Sequence, residues 1–150
     1  MAISKRQAIC TAIDTRLKTI TIVNGYETNL GNNVYEFWDI ALEESELPAV
    51  IWKDGNESST LLVTNMQDRT LTIELVLQTT GVNAPSDLRK MIADIEKAMN
   101  IDDTWNNLVI NSSVLDIKDV FEIEYQERRI GACRAAFTVT YRTGYLNSYS

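Results

Sequence analysis

Apolar residues near the start of the chain recur at intervals of three and four positions. In the stretch SKRQAICTAIDTRLKTI this spacing is typical of one buried stripe on an α-helix, formed by Ile9, Ile13, Leu17 and Ile20. Ser4 lies three residues before Gln7 and predicts a capping box at the start of the helix. We expect the helix to end near Val23, because the Asn-Gly pair at 24–25 supplies a stop signal.

The middle of the chain has the alternating pattern of β-strands. After a loop rich in Asn and Gly, VYEFWDI predicts a short strand, and AVIWKD predicts a buried strand that ends at a turn formed by Asp54 and Gly55. LLVTNM predicts another short strand, with a break at 67–68. RTLTIELVLQT predicts the longest strand of this part, in which polar residues alternate with Leu71, Ile73, Leu75 and Leu77.

A second helix is predicted over SDLRKMIADIEKAMN. Ser86 is a good N-cap, and Asp87 favours the first turn through the helix dipole. The following stretch, IDDTWNNL, is expected to add one short turn that contains Trp105. The apolar stripe of the helix comprises Leu88, Met91, Ile92, Ile95 and Met99.

Two alternating segments in the last third predict a β-hairpin joined by the charged link ERRIG. LDIKDVFEIEYQ places on one face Leu115, Ile117, Phe121, Ile123 and Tyr125. The return strand groups Cys133, Ala135, Phe137, Val139 and Tyr141. Glu122 and Glu124 would suit cross-strand ion pairs with Arg134 and Arg142.

The order of these elements predicts the fold class. A helix, several strands, a second helix and a hairpin indicate an α/β (α+β) protein with a mainly antiparallel or mixed β-sheet flanked by two α-helices. A length of 150 residues favours a single domain over 1–150. Its last residues, 144–150, are expected to form a short C-terminal tail.

Composition and charge narrow the classes of function. The net charge of −7 argues against nucleic acid as a surface-bound partner, although it allows DNA to pass nearby without binding. The N-terminus predicts no signal peptide, and no apolar run is long enough to predict a transmembrane helix. Cys10 and Cys133 lie far apart and are expected to be buried free thiols.

The sequence offers little catalytic chemistry. It has no histidine, which excludes Ser-His-Asp and Cys-His catalysis. Neither cysteine belongs to a C-x-x-C zinc motif, and the glycines form no phosphate-binding loop. Three sets of carboxylate side chains could hold Mg²⁺ or act as an acid–base pair: Asp102 with Asp103, Glu43 and Glu44 with Glu46, and Glu122 with Glu124. A helix cap explains the first set better, a solvated loop explains the second, and the solvent-facing side of a strand explains the third. We therefore expect no enzymatic activity, cofactor or metal.

Aromatic residues are the better candidates for contacts. Trp38, Trp52 and Trp105 could all belong to the core, and Trp38 is the one best placed for an interface, because it lies in a segment bounded by loops. Tyr145 and Tyr149 follow the last strand on a polar tail. Aromatic side chains on such a tail would make good contacts with a neighbouring subunit.

Four stretches resemble, in their order along the chain, the tail terminator (tail completion) proteins of long-tailed bacteriophages and prophages: RQAICTAIDTRLKTIT, NGYETNLG, LPAVIWKDGNE and RAAFTVTYRTG. The resemblance covers most of the chain. It implies a ring, usually a hexamer, that caps the tail tube, ends tail polymerisation and provides the surface for attachment of the head.

The resemblance also implies the partners and the location. The partners are copies of the same chain, the tail-tube protein and the head–tail connector or neck proteins, while DNA passes through the lumen without specific binding and no membrane is involved. The location is the tail–neck junction of the virion, after assembly in the bacterial host cytoplasm.

Three other functions stay open on the sequence. They are a head–tail adaptor or stopper ring protein, a tail-tube subunit and, more remotely, a carboxylate-dependent metal hydrolase. The residues whose pattern predicts exposure, and which we therefore expect to contact subunits or partners, are Trp38, Glu43, Glu44, Glu46, Asp54, Asn56, Glu57, Arg128, Arg129, Tyr145 and Tyr149.

A truncation tests the role of the tail. Deleting 144–150 should spare the fold and weaken assembly, because the two tail tyrosines are expected to pack against a neighbouring subunit. Circular dichroism would follow the fold, and sedimentation velocity would follow assembly. Unchanged assembly would contradict the expected role.

Overall fold

A computed structural model describes residues 2–37, 42, 44–125 and 128–149. Its two helices are α1, Lys5–Leu17, and α2, Ala84–Asn100. Within the described residues, neither helix is long and apolar enough to cross a membrane. The strands are β1, Val34–Glu36; β2, Ala49–Leu61; β3, Met66–Thr80; β4, Asn111–Ser112; β5, Asp116–Tyr125; and β6, Arg128–Gly144.

These strands form one mixed sheet. Strand β1 runs parallel to β2, and β2, β3 and β6 follow as antiparallel neighbours. The outer side of β6 pairs with β4 and then with β5. The predicted class, an α+β protein with a mixed sheet and two helices, is confirmed.

Strands β3 and β6 pair along the whole length of β3. The register runs without interruption from Met66 opposite Gly144 to Thr80 opposite Ile130. Since successive side chains of a strand point to opposite faces, this register fixes which residues of both strands face the helices. The buried residues of β6 that lie in the main core are Cys133, Ala135, Phe137, Val139 and Tyr141, the set that alternation predicts.

The main core lies between this face of the sheet and the two helices. Trp52 and Trp105 are both buried in it, and the ring of Trp105 stacks on Phe137 with centroids 5.8 Å apart. The Arg16 guanidinium also lies over the Trp105 ring, with its Cζ 3.7 Å from the ring centroid. The helices contribute Ile9, Ile13, Leu17, Leu88, Met91 and Ile95.

The helix boundaries differ from the predicted ones. The Ser4 hydroxyl caps α1 by accepting a hydrogen bond from the Gln7 amide, as predicted. However, α1 ends at Leu17 rather than near Val23, because 19–23 are all β-branched and disfavour a helix. Helix α2 begins at Ala84 with Asn83 as its N-cap, so the predicted cap Ser86 lies inside the helix.

Two predicted breaks are wrong. Strand β2 does not turn at Asp54 and Gly55 but continues to Leu61, with a bulge between Asp54 and Glu57. The stretch LLVTNM is not a separate strand: 62–65 form the β2–β3 hairpin turn between Leu61, the end of β2, and Met66, the start of β3, and 67–68 lie within β3. The side-chain partners of Asp54 and Glu57, described below, explain why the strand continues.

The C-terminal hairpin is tighter than predicted. Four residues of the expected link ERRIG, 128–131, belong to β6. Strand β5 has a bulge between Ile117 and Asp119, so that Ile117 lies opposite Ala135 whereas Phe121 lies opposite Ala132. Because the side chains of Ala132 and Ala135 point to opposite faces of β6, the prediction that Ile117 and Phe121 share a face is wrong.

The bulge and the tight hairpin also change the ion pairs. Glu122 and Glu124 both lie near Arg129, at 4.0 and 3.9 Å. The two arginines that were expected to pair with them have other partners: Arg134 lies 3.9 Å from Asp119, and Arg142 lies 2.7 Å from Asp68.

A buried carboxylate on α2 holds the loop after α1. Asp94 is 2% exposed. It accepts hydrogen bonds from the Glu27 amide at 3.0 Å and from the amide and hydroxyl of Thr28 at 2.9 and 2.6 Å. Helical periodicity alone gave no reason to expect this polar residue in the core.

Replacing this carboxylate should be costly. Asp94→Ala leaves two amides and a hydroxyl without their acceptor, and we expect it to lower the free energy of unfolding by about 2–3 kcal/mol. Urea unfolding followed by tryptophan fluorescence measures the change. Glu96→Ala, an exposed carboxylate on the same helix, is the matched control and should change it by less than about 0.5 kcal/mol.

Candidate interaction surfaces

The predicted contact residues before β2 are only partly described. Trp38 and Glu43 lie outside the described residues, and so does the side chain of Glu44. The backbone of Glu44 begins a short 3₁₀ turn that ends at Glu46. Burial, and to a lesser degree the charge of Glu46, raises the pKa of Tyr35 on the edge strand β1.

Around the bulge in β2 lies a cluster of four charged side chains and one tyrosine that we call the bulge cluster: Arg6, Asp54, Glu57, Arg69 and Tyr141. Arg6 Nε lies 2.7 Å from Asp54 Oδ2, and its guanidinium also donates to the Gly55 carbonyl at 3.1 Å. Glu57 Oε2 lies 3.7 Å from Arg6 and 3.5 Å from Arg69. The Tyr141 hydroxyl donates to Glu57 Oε1.

The bulge cluster corrects the predicted exposure of this segment. The side chains of Asp54 and Glu57 are only 18% and 14% exposed and are occupied by partners within the chain. Asn56 between them is exposed, as predicted. The cluster joins the first turn of α1 to β2, β3 and β6, and therefore braces the base of the hairpin that extends beyond it.

The far end of this hairpin carries apolar side chains in solvent. We call this surface the apolar tip: Leu61, Val63, Tyr145, Leu146 and Tyr149, each more than half exposed. The C-terminal residues join the hairpin turn because the Tyr145 amide donates to the Asn65 carbonyl and the Leu146 amide donates to Gln67 Oε1, both at 2.9 Å.

The tail is thus held by its own chain. Besides these two bonds, the Lys5 amide donates to the Ser148 carbonyl at 2.9 Å. The side chains of Tyr145 and Tyr149 nevertheless project into solvent. Their contact with a neighbouring subunit stays a prediction. Because truncation would also remove these backbone bonds, substitution of tip side chains is the sharper test.

An apolar groove lies at the opposite end of the β3–β6 ladder, between the start of α2 and strand β5. We call it the apolar groove: its apolar side chains are Val82, Ala84, Pro85, Leu88 and Val120, and Thr80, Glu122 and Arg129 also line it. Gly131 forms part of the lining, and a Cβ at this position would lie 3.2 Å from both Ala84 and Leu88. A glycine here therefore allows α2 to approach β6 closely.

The surroundings of the two surfaces differ in charge. Beside the groove, Glu122 and Glu124 are 70% and 79% exposed and pair only loosely with Arg129, another predicted contact residue. The backbone of Arg128 continues β6 next to it. Beside the tip, the Lys5 ammonium donates to the Arg142 carbonyl at 2.8 Å, and the Arg142 guanidinium is paired with Asp68 at 2.7 Å.

The carboxylates considered for chemistry have structural partners. Asp102 accepts hydrogen bonds from the hydroxyl and amide of Thr104 and from the Asn106 amide, and these bonds, that of the hydroxyl first, lower the pKa of Asp102 to about 2. It therefore caps the turn after α2. In the described part of the chain, no three or more cysteine, aspartate and glutamate side chains are grouped as metal ligands.

The two cysteines are buried free thiols, as predicted. Burial, with smaller contributions from nearby carboxylates, raises the pKa of Cys10 to about 12. Burial also raises the pKa of Cys133. Both thiols are therefore protonated near neutral pH and poor nucleophiles.

Comparisons with known proteins add little. No protein-family model matches the chain, and no curated protein matches it. Among solved structures, a chain of the virion of a native gene transfer agent (GTA) particle aligns with 86% of this chain and 92% of its own length, at 12% identity and a TM-score of 0.33. A likeness at this level carries no argument about function.

The bulge cluster predicts a dependence of stability on alkaline pH. Burial, and then the hydrogen bond to Glu57, raises the pKa of Tyr141, whereas a tyrosine of the unfolded chain loses its proton near pH ~10. Above that pH the unfolded state therefore binds fewer protons than the folded state does. The free energy of unfolding should then fall as the pH rises past the pKa of the unfolded tyrosine.

Tyr141→Phe tests this origin. The variant loses a hydrogen bond to a carboxylate and should be about 1–3 kcal/mol less stable at pH 8. Its stability should then fall less steeply than that of the wild type above pH ~10. Urea midpoints at several pH values measure both effects, and Tyr145→Phe, with its exposed ring, is the control. Parallel curves for Tyr141→Phe and the wild type would contradict the assignment to Tyr141.

Proposed function

We propose that this protein is a tail terminator of a phage-like tail. Copies of the chain form a ring, expected to be a hexamer, that caps the tail tube, ends its polymerisation and offers a surface to the head–neck proteins. The order of the four sequence stretches supports this function. The structural observation that carries it is the apolar tip, a group of exposed apolar side chains on a hairpin that is braced at its base.

The exposed tip favours an assembly protein. A surface with several neighbouring apolar side chains in solvent is typical of protein–protein interfaces. In this chain the supporting hairpin is fixed by ion pairs at its base, so little conformational freedom would be lost when the tip meets a partner. A permanent structural contact would use both the exposed apolar surface and its rigid support.

The mechanism is steric and needs no catalytic group. One face of the ring matches the end of the tube. The opposite face of the ring differs enough from a tube end that no further tube subunit adds to it. The net charge of −7 allows DNA to pass through the lumen without binding to its wall. Asn56, Arg129, Tyr145 and Tyr149 remain our contact candidates among the predicted residues with exposed side chains.

Particles assembled without this protein test the function. We expect tails of abnormal length, because nothing would stop addition of tube subunits, and restoration of normal length when the wild-type gene is supplied in trans. Negative-stain electron microscopy measures the tail-length distribution. Tails of normal length that stay detached from heads would instead indicate an adaptor or stopper, and long tubes formed by the purified protein alone would indicate a tube subunit.

A further inference from the structure

We propose that a helix of another protein docks beside α2, over the inner face of β5. The site is the seam between α2 and residues 112–122, with the apolar groove at the start of α2 and a second hollow at its end. We call it the α2–β5 seam. The occupant is amphipathic and has cationic side chains at the end that lies beside the end of α2. The inference goes beyond the proposed function and does not depend on it.

The inner face of β5 is left open by the helices. The register places Ile117 opposite Ala135 and Val120 opposite Cys133, and both partners are buried in the main core on the helix side. The bulge after Ile117 keeps it on the same side as Val120, although the two are three residues apart. They are nevertheless 37% and 62% exposed, because α2 packs on β3 and β6.

Helix α2 presents a second apolar flank to this open face. Pro85, Ile92 and Met99 recur at intervals of seven, so they lie on one side of the helix, and Leu88 lies between the first two. Pro85 is exposed, and Ile92 and Met99 are half-buried. Val114, which lines the second hollow together with Met99, is 86% exposed. Both walls of the seam therefore carry apolar side chains.

The dimensions of the seam suit a helix. Two packed helices have axes about 8–10 Å apart, which equals about two strand spacings of ~4.8 Å. Since α2 lies over β3 and β6, a helix beside it would lie over β5. The flank from Pro85 to Met99 spans about 21 Å at ~1.5 Å per residue, so the occupant has about four turns. Binding of an amphipathic helix in an apolar groove is a recurrent mode of recognition.

The end of the seam beside the C-terminus of α2 is negatively charged. Glu96 and Asp103 line the second hollow and are exposed. Among the described residues, neither carboxylate has an ion-pair partner. Lys97 lines the same hollow, but its ammonium donates to the Gly25 carbonyl at 2.7 Å and is thus engaged within the chain. The helix dipole of α2 adds partial negative charge at this end.

The charges at the other end of the seam balance. Glu122 and Glu124 lie beside Arg129, at 4.0 and 3.9 Å, and helical spacing places Arg89 on the same side of α2 as Pro85. Two acidic and two cationic side chains cancel there, whereas the far end has an excess of negative charge. A helix with cationic side chains at the far end complements this pattern, and peripheral charges of this kind orient a partner.

A synthetic helix tests the chemistry of the occupant. The probe is a labelled peptide of about 15 residues, with leucines at helical spacing and lysines in its last turn as the only charged residues. We expect the full chain to bind it at least tenfold more tightly than a peptide with glutamates in place of the lysines, and than a scrambled peptide of the same composition. Fluorescence anisotropy at about 0.15 M salt measures the affinities. Equal binding of the lysine and scrambled peptides would overturn the inference, because net charge alone would then explain the attraction.

Substitutions in the seam test the location. Val120→Asp and Glu96→Lys should each weaken binding of the lysine peptide at least tenfold, and both side chains are exposed, so the fold should be spared. Val23→Asp and Glu27→Lys are the matched controls, since both residues are exposed in the loop after α1. Circular dichroism and urea unfolding verify the fold of all four variants. Seam variants that bind as the wild type does, or controls that lose binding equally, would contradict the location.

Cross-linking tests the orientation. A lysine peptide with a cysteine in its last turn should form a disulfide with a Val114→Cys variant on mild oxidation, and much less with a Val82→Cys variant at the other end of the seam. The native thiols are buried and should not interfere. Equal or reversed yields would overturn the proposed orientation.

Self-association distinguishes the remaining occupant, a second copy of this chain. Sedimentation velocity of the wild type and of Val120→Asp should give the same oligomeric state, because the seam is reserved for another protein. A wild type that assembles and a Val120→Asp variant that stays monomeric would place a second copy in the seam and overturn the inference.

Discussion

The pairing of β3 with β6 is the interaction on which the rest of the structure depends. Its uninterrupted register decides which side chains of both central strands face the helices, because a slip by one residue would turn every one of them to the other face. It also sets the distance between the apolar tip and the apolar groove. The separation of the two surfaces is therefore set by the length of the ladder.

Helix α1 and the turn after α2 are tied to the sheet by polar groups as well as by apolar packing. Trp52 Nε1 donates to Asp14 on α1 at 3.0 Å, and Trp105 Nε1 donates to Ser112 on β4 at 2.7 Å. The buried aromatic rings therefore have one orientation each, since rotating them would leave an indole N–H without an acceptor. Asp94 does the same for the loop after α1. Such directional contacts select a single packing arrangement where apolar surfaces alone would tolerate several.

Local patterns in the sequence were sufficient for the presence of the two helices and for the inward face of β6, because periods of 3.6 and 2 are direct consequences of helix and strand geometry, but they misplaced the end of α1 and the N-cap of α2. Local patterns failed at the bulge in β2, because the pair of Asp54 and Gly55 is typical of a turn. The strand continues there because Arg6, 48 residues away, binds both residues. Alternation also could not reveal the bulge in β5. For the surfaces, the exposed tail tyrosines were predictable, whereas Leu61 and Val63 lie in a stretch whose pattern predicts a short strand. The groove was beyond reach because it combines segments that only the tertiary fold brings together.

The bulges have a consequence for the open edges of the sheet. Strand β5 forms one edge, and the half of β2 beyond its pairing with β1 forms part of the other. Each of these strands is bulged, and β5 also carries exposed charges. A kinked, charged edge is a poor template for a strand from another chain. The bulges and charges therefore protect these edges against pairing with a strand of another copy.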